Sequence, residues 1–483
     1  MAGIGFELKK LYDKQTVFSG LQAYQCAGIV CTGPLLFSVF MLANVVLLTK
    51  AGMTTSQEKD LLVCLLTYTM IASLLAMSPF TLVINRYIAD MIYEKRMKYI
   101  MPSFFGCVGI IMILGGILYG VFLSFSGVDW ELKILCLILL LELIVTWMEI
   151  HYLTAIKNYK GIVLGFFFSS IFSNCLSIFF LVKEFPRVPS LIFSISVGYG
   201  IMLVWYLVLL LRAYPKGKGS SFTFLIWLDR YRDLSLLGVC QTLGIFGHQV
   251  LMWTGSLAQS VAPLFCWAPS YDVPVFLAFL TTLVTTVSFT MTVEVRFYRK
   301  YRIYFGKLNG KSTRKDIELA EEDMLLTLSQ ELYHTAFKQS CFTLICIVAS
   351  EIVLSRLNMG FTKDMISIFQ VLCLGYALFA VGNMFMLIQL YFADLRRALI
   401  STILFAGSSI IGTLLSMFGS SDWYGYGFLF GSAIYYFFAW FLLKRYIHNI
   451  KYHVLSAQPL GGEIVTGPFY NLYKKLKYIK ENN

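Results

Sequence analysis

Twelve apolar runs, each roughly 18–28 residues long, fill most of this chain, and no other feature restricts its fold so severely. They fall near 21–48, 60–84, 101–124, 133–153, 161–182, 191–211, 234–258, 274–293, 339–357, 364–390, 398–418 and 424–443. At a rise of about 1.5 Å per residue, a helix of that length crosses a hydrocarbon core of about 30 Å. Backbone groups in hydrocarbon must bond within their own segment, so the runs are read as helices. Charged residues make up 14% of the chain, where a soluble domain carries about 25%. The expected fold class is an all-α polytopic membrane protein of about twelve transmembrane helices in two six-helix lobes.

Loop charge orients the chain. Of the 39 Lys and Arg residues, 32 fall in the termini and the loops after even-numbered runs, and 7 in the opposite loops. Basic residues collect on the cytoplasmic side, so both termini are expected there, in the inner membrane. The same rule accounts for the net charge of +12, and no nucleic-acid partner is expected. No A-x-A-like cleavage site follows the amphipathic start MAGIGFELKKLYDKQ, so the first run is read as an uncleaved anchor.

The runs divide six and six around residues 212–233, which carry Arg212, Lys216, Lys218, Arg230 and Arg232 among Pro215, Gly217 and Gly219. The expected organisation is an N-terminal lobe over 1–211, a cytoplasmic linker over 212–233, a C-terminal lobe over 234–443 and a basic tail over 444–483. Halves with an even number of spans share one topology, related by an axis along the membrane normal. The exits Arg86-Tyr87-Ile88 and Arg296-Phe297-Tyr298 are similar enough to suggest a repeat, although interfacial anchoring explains such endings equally well.

Within the long basic loop 294–338, Asp316 to His334 reads as an amphipathic helix with Ile317, Ala320, Met324, Leu328 and Leu332 at helical spacing. It is either a helix lying at the membrane surface or packed under the bundle, or a docking site for a cytoplasmic partner, with Met324, Leu328 and Leu332 as the docking candidates. The tail ends in YKKLKYIKENN, whose lysines and tyrosines suit a tether to anionic membrane lipid.

Polar residues inside hydrocarbon are costly and usually functional. Glu142 and Glu149 lie seven residues apart in the fourth run, on one helical stripe. They are the first candidates for a substrate path, binding a proton, a cation or sugar hydroxyls; the alternative is a buried neutral acid at 142 and an interfacial one at 149. Gln241 and His248 accompany Gly244 and Gly247 in the seventh run, where a lone histidine is equally read as a satisfied core residue. Thr285 sits in a threonine-rich eighth run, whose hydroxyls either line a wet path or bond the preceding turn. Asn174 and Asn383 complete the path candidates. Gly33-Pro34 is expected to kink the first helix. The 11 cysteines form no metal-type cluster, and no Walker A loop, HExxH or nucleophile elbow is present. No metal, cofactor or enzymatic activity is expected.

Three stretches carry a resemblance: the opening MAGIGFELKKL, the segment TTLVTTVSFTMTVEVRFYRKYRIYF at 281–305, and LYFADLRRAL at 390–399. They resemble the PelG family of exopolysaccharide translocators, over roughly residues 1–458. The resemblance implies a MOP-superfamily fold related to Wzx flippases and MATE exporters. It also implies transport of a galactosamine-rich polysaccharide across the inner membrane for biofilm matrix. The partners it implies are a PelF-like cytoplasmic glycosyltransferase and PelD-like and PelE-like membrane regulators. A MATE-like ion-coupled exporter of small molecules, a synthase scaffold and a polytopic sugar- or lipid-modifying enzyme are the alternatives.

Overall fold

Eleven helices long and apolar enough to cross a membrane are present among the described residues. The computed structural model describes residues 56–456 and 466–482, apart from 157, 216, 218, 219 and 357–360. The first expected span, its Gly33-Pro34 pair, the amphipathic N-terminal stretch and residues 457–465 of the tail lie outside the described residues. The others are found, so the chain is a multi-pass membrane protein. In order, the helices are α1 Ser56–Tyr93, α2 Ile100–Phe125, α3 Trp130–Ile156, α4 Tyr159–Val182, α5 Arg187–Ala213, α6 Leu225–Arg230 and α7 Arg232–Met252. A hairpin of β1 Gln259–Ala262 and β2 Phe265–Trp267 follows. Then come α8 Pro269–Leu280, α9 Leu283–Thr292, α10 Tyr298–Leu308, α11 Arg314–Arg356, α12 Lys363–Tyr391, α13 Leu395–Met417, α14 Tyr426–His448, α15 Ile450–Ser456 and α16 Pro468–Asn482.

Two compact units are formed, one holding α1 to α7, the hairpin and the C-terminal helices, the other Ser270–Ile447. In the first, α5 packs on both α3 and α4, while α1 packs on α3 and α7. Lipid tails are as apolar as leucine, so close packing and polar contacts, at about 1 kcal/mol each, hold such helices together. The Ser173 hydroxyl donates to the Ser194 carbonyl at 2.8 Å between α4 and α5. Tyr206 Oη donates to the Ile162 carbonyl at 2.8 Å, and Trp205 Nε1 to the Gly161 carbonyl at 3.0 Å. Trp147 on α3 donates to Ser73 on α1 at 3.2 Å. At Gly238 on α7, an added Cβ would stand 2.3 Å from the Ser78 carbonyl oxygen, so only glycine lets α7 lie this close to α1.

Two described residues of the 212–233 stretch, Gly217 and Trp227, are packed against neighbouring elements. At Gly217 a Cβ would meet the Lys98 carbonyl oxygen at 1.8 Å, and Trp227 on α6 donates to Asp90 at 2.8 Å. The linker is therefore fastened to the ends of α1 and α2 through backbone contact and a buried indole.

Three boundaries differ from the sequence reading. The seventh helix stops at Met252, not 258, and the chain turns into the β-hairpin. Tyr68 on α1 braces this hairpin, stacking on Trp253 at 4.3 Å and donating to the Cys266 carbonyl at 2.9 Å. The eighth span is two pieces, α8 and α9, broken where the Thr281 and Thr282 hydroxyls bond the carbonyls of Ala278 and Phe279. Side-chain bonds of that kind compete with the helical ladder.

The third difference is the largest. The amphipathic stretch and the ninth span are one helix, α11, of 43 residues. Its start is a capping box: the Asp316 amide donates to Thr313 Oγ1 at 3.3 Å, and the Thr313 amide returns to the Asp316 carboxylate at 3.3 Å. No proline or glycine interrupts it. It runs roughly 64 Å, about twice the hydrocarbon thickness, and therefore projects well beyond the membrane. Antiparallel to it lies a rod of α9, a π-turn at Val293–Phe297, and α10. Lys338 donates to Ser288 at 3.5 Å, Arg296 pairs with Glu331, and Lys300 pairs with Asp323. α12 forms the centre of this unit: 72% of its apolar window is buried, against 22% for α11.

Candidate functional site

An acid in mid-span must be placed against groups that tolerate it, and α5 supplies them opposite α3. Glu142 is half-buried, and its carboxylate accepts a 2.6 Å hydrogen bond from the Ser196 hydroxyl. One turn further along α5, a Cβ on Gly200 would stand 3.3 Å from the other Glu142 oxygen. Small residues at 196 and 200 thus open a notch that the glutamate fills. Glu149 lies on the same α3 stripe and is 0% exposed. Neither of its carboxylate oxygens has a hydrogen-bond partner among the described residues. An isolated buried carboxyl of this kind is expensive to maintain, which is why such groups cluster at working sites. The α3–α5 seam therefore combines a held, partly accessible acid with a dry one about two helical turns away.

The other path candidates are placed differently. His248 is fully buried on α7 and has a partner there. Gln241, on the same helix, is partly exposed and has a partner. Asn174 donates to the Ser170 carbonyl one turn back, at 2.7 Å. Asn383 is partly buried on α12 and also has a partner.

Thr285 lies in the other unit. It is 3% exposed, and both its amide and its hydroxyl donate to Gln339 Oε1, at 3.2 and 2.7 Å. Gln339 Nε2 completes the network by donating to Thr343 at 3.1 Å. This closed polar network fastens α9 to α11. Thr286 and Thr290 are likewise bonded to carbonyls one turn back. The threonine-rich run therefore spends most of its hydroxyls on its own backbone.

Of the docking candidates, Met324 is 0% and Leu328 2% exposed; both are packed within their own unit. Leu332 is partly exposed and lines a groove of about 740 Å³ between α11, α12 and α14. Within the amphipathic stretch, the large apolar residues that α11 presents outward are Leu319, Leu326 and Tyr333, spaced by seven.

Sequence reasoning missed four residues that matter here. Ser196 and Gly200 carry the spacing of a small-residue helix contact and were legible as such. Gln339 gave no local signal. Asp229, in the linker helix α6, is 8% exposed and accepts from the Tyr470 amide at 2.6 Å and from Arg232 at 2.9 Å. Tyr470 is in the first turn of α16, so Asp229 caps the tail helix from another element. The segment expected to tether to lipid is thereby held on the linker.

The family model described as PelG, exopolysaccharide exporter (EPS-E), matches residues 1–455. No curated protein matches. Among solved structures, the chain is similar to a MATE transporter in the straight conformation, with a TM-score of 0.58 and 12% identity, covering 89% of this chain and 95% of that one. It is similar to the bent form of the MATE transporter VcmN from Vibrio cholerae, with a TM-score of 0.58, 11% identity and coverage of 89% and 97%. It is also similar to a MOP superfamily transporter from Pyrococcus furiosus, with a TM-score of 0.54, 12% identity and coverage of 89% and 95%. At such identities the likeness fixes the fold, which is MATE-like.

Proposed function

The chain belongs to the PelG family of exopolysaccharide exporters, and from that premise we propose that it moves a Pel-like, galactosamine-rich polysaccharide across the cytoplasmic membrane. Both termini and the α10–α11 hairpin lie on the cytoplasmic side, where synthesis takes place. The two six-helix halves, 1–211 and 234–443, are joined by the linker at 212–233; α7 opens the second half in sequence while packing on α1 of the first.

The observation that carries the substrate reading beyond the family is the α3–α5 seam. Its acids are Glu142 and Glu149, with Ser196 and Gly200 across from the first. A partly dehydrated site of that charge favours a neutral or weakly cationic sugar chain over a polyanion. Gln241, His248, Asn174, Thr285 and Asn383 are secondary to that seam. The partners we propose are a PelF-like glycosyltransferase at the hairpin and PelD-like and PelE-like proteins in the membrane.

A strain lacking this chain but retaining the glycosyltransferase tests the reading. Extracellular hexosamine polymer should disappear and return on complementation. Normal polymer outside the cells without the chain would refute it, and polymer unchanged with a small-molecule efflux defect would favour the MATE-like exporter.

A further inference from the structure

The two carboxylate oxygens of Glu142 have different surroundings. Oε2 accepts from the Ser196 hydroxyl at 2.6 Å. Oε1 receives no hydrogen bond from any described residue. It stands over Gly200, where an added Cβ would lie 3.3 Å from it. That is closer than ordinary contact, so any side chain at 200 would crowd this oxygen. Ser196 and Gly200 are one turn apart on α5, so one fixes the carboxylate while the other leaves it an open side.

The helix faces beside that open side are apolar. Ile138 lies one turn from Glu142 on α3, while Val204 and Phe193 lie one and two turns from Gly200 on α5. All three are exposed. One oriented polar atom among apolar side chains is the usual make-up of a small-molecule site. A carboxylate oxygen can only accept, and in mid-span it is costly to leave without a donor. Acyl chains carry no donor. A sugar carries hydroxyl and amide donors along its edge and a C–H face that can lie on Phe193.

We propose that Gly200 is a positioning residue of the export path: it keeps Glu142 Oε1 open to accept from a hydroxyl or amide N–H of the passing sugar. Ser196 holds the other oxygen, so the acid offers the substrate one acceptor in one direction. The inference rests on the export reading of the α3–α5 seam. It adds to that reading the atom that meets the sugar and the residue that keeps this atom free.

Two substitutions of nearly equal size test it. Gly200→Ser brings a hydroxyl within reach of Oε1 and closes the acceptor from inside the protein, whereas Gly200→Ala adds a methyl group and no donor. Polymer export per chain in the membrane should fall roughly fivefold in Gly200→Ser, the worth of one typical hydrogen bond, and less in Gly200→Ala. The melting temperature of the full chain should be higher for Gly200→Ser than for Gly200→Ala, because the new hydroxyl is bonded. The more stable variant should therefore be the poorer exporter, an order that a residue serving only to pack α3 on α5 would not produce. In a Glu142→Gln background, Gly200→Ser should cause little further loss, since it acts through the acid. Wild-type export by Gly200→Ser overturns the proposal. So do export losses that follow falling melting temperature in both variants, or failure of both to accumulate, which would make Gly200 a packing residue. None of these results touches the export reading, which falls only if polymer still leaves cells lacking the chain.

Discussion

Ser196 on α5 donates a 2.6 Å hydrogen bond to Glu142 on α3, so the mid-span acid has a defined partner on the neighbouring helix. The bond holds the carboxylate in one orientation while the side chain stays half-exposed. That combination suits a group that contacts a passing substrate. Replacing Glu142 with Gln preserves shape and removes the charge. Polymer export should fall severalfold at equal protein level in the membrane. Ser196→Ala should cost about 1 kcal/mol in helix association and reduce export less. The double variant should export no worse than Glu142→Gln alone, since the serine acts through the acid. Export at the wild-type level by Glu142→Gln would make the carboxylate a packing group.

The Thr285–Gln339–Thr343 network makes the opposite prediction. Gln339→Leu leaves the Thr285 amide and hydroxyl buried without their acceptor, a loss of roughly 1–3 kcal/mol. The melting temperature should drop while export per folded molecule stays unchanged. A fall in export with full thermal stability would return Thr285 to the substrate path.

How much of this was legible in the sequence varies by element. The runs at 101–124 and 364–390 match α2 and α12 closely, because length and apolarity decide a helix in hydrocarbon irrespective of its neighbours. The amphipathic pattern at Ala320, Met324 and Leu328 was legible as one helical face, but the sequence offered Met324 and Leu328 for docking, and in the structure both are buried. Its continuation into the ninth span was missed because Lys338 looked like a loop charge, whereas it reaches Ser288 across the hairpin. Glu142 and Glu149 stood out as acids in an apolar run, but the difference between them depends on Ser196, 54 residues away from Glu142. Asp229 and Tyr470, 241 residues apart, had no local signature at all.

That last pair supplies the third prediction. Asp229→Ala removes the cap from α16 and leaves the Tyr470 amide without its carboxylate. A lost cap is worth about 1 kcal/mol, enough to raise the population of undocked tail severalfold. Limited proteolysis should cut within 468–475 faster than in the wild type, with the transmembrane helices still protected. Equal cleavage rates would show that other contacts hold the tail helix.

Burial on α11 separates packing from docking. Met324→Ser and Leu328→Ser open cavities in a packed interface and should cost roughly 2–5 kcal/mol each, lowering the yield of folded protein. Leu319→Ser, Leu326→Ser and Tyr333→Ser together leave that interface intact, since all three side chains are exposed. The triple variant should accumulate normally and lose co-purification with the glycosyltransferase. Full co-purification by the triple variant would remove the hairpin stripe as the docking surface.

The central claim is that this chain itself carries polymer across the bilayer. The direct measurement uses sealed inverted membrane vesicles containing the glycosyltransferase and its membrane partners, supplied with labelled UDP-N-acetylgalactosamine. With the wild-type chain, labelled polymer should accumulate inside the vesicles, protected from an added glycosidase until detergent is present. With vesicles lacking the chain, polymer should form but remain digestible. Equal protection in the two preparations would contradict the account.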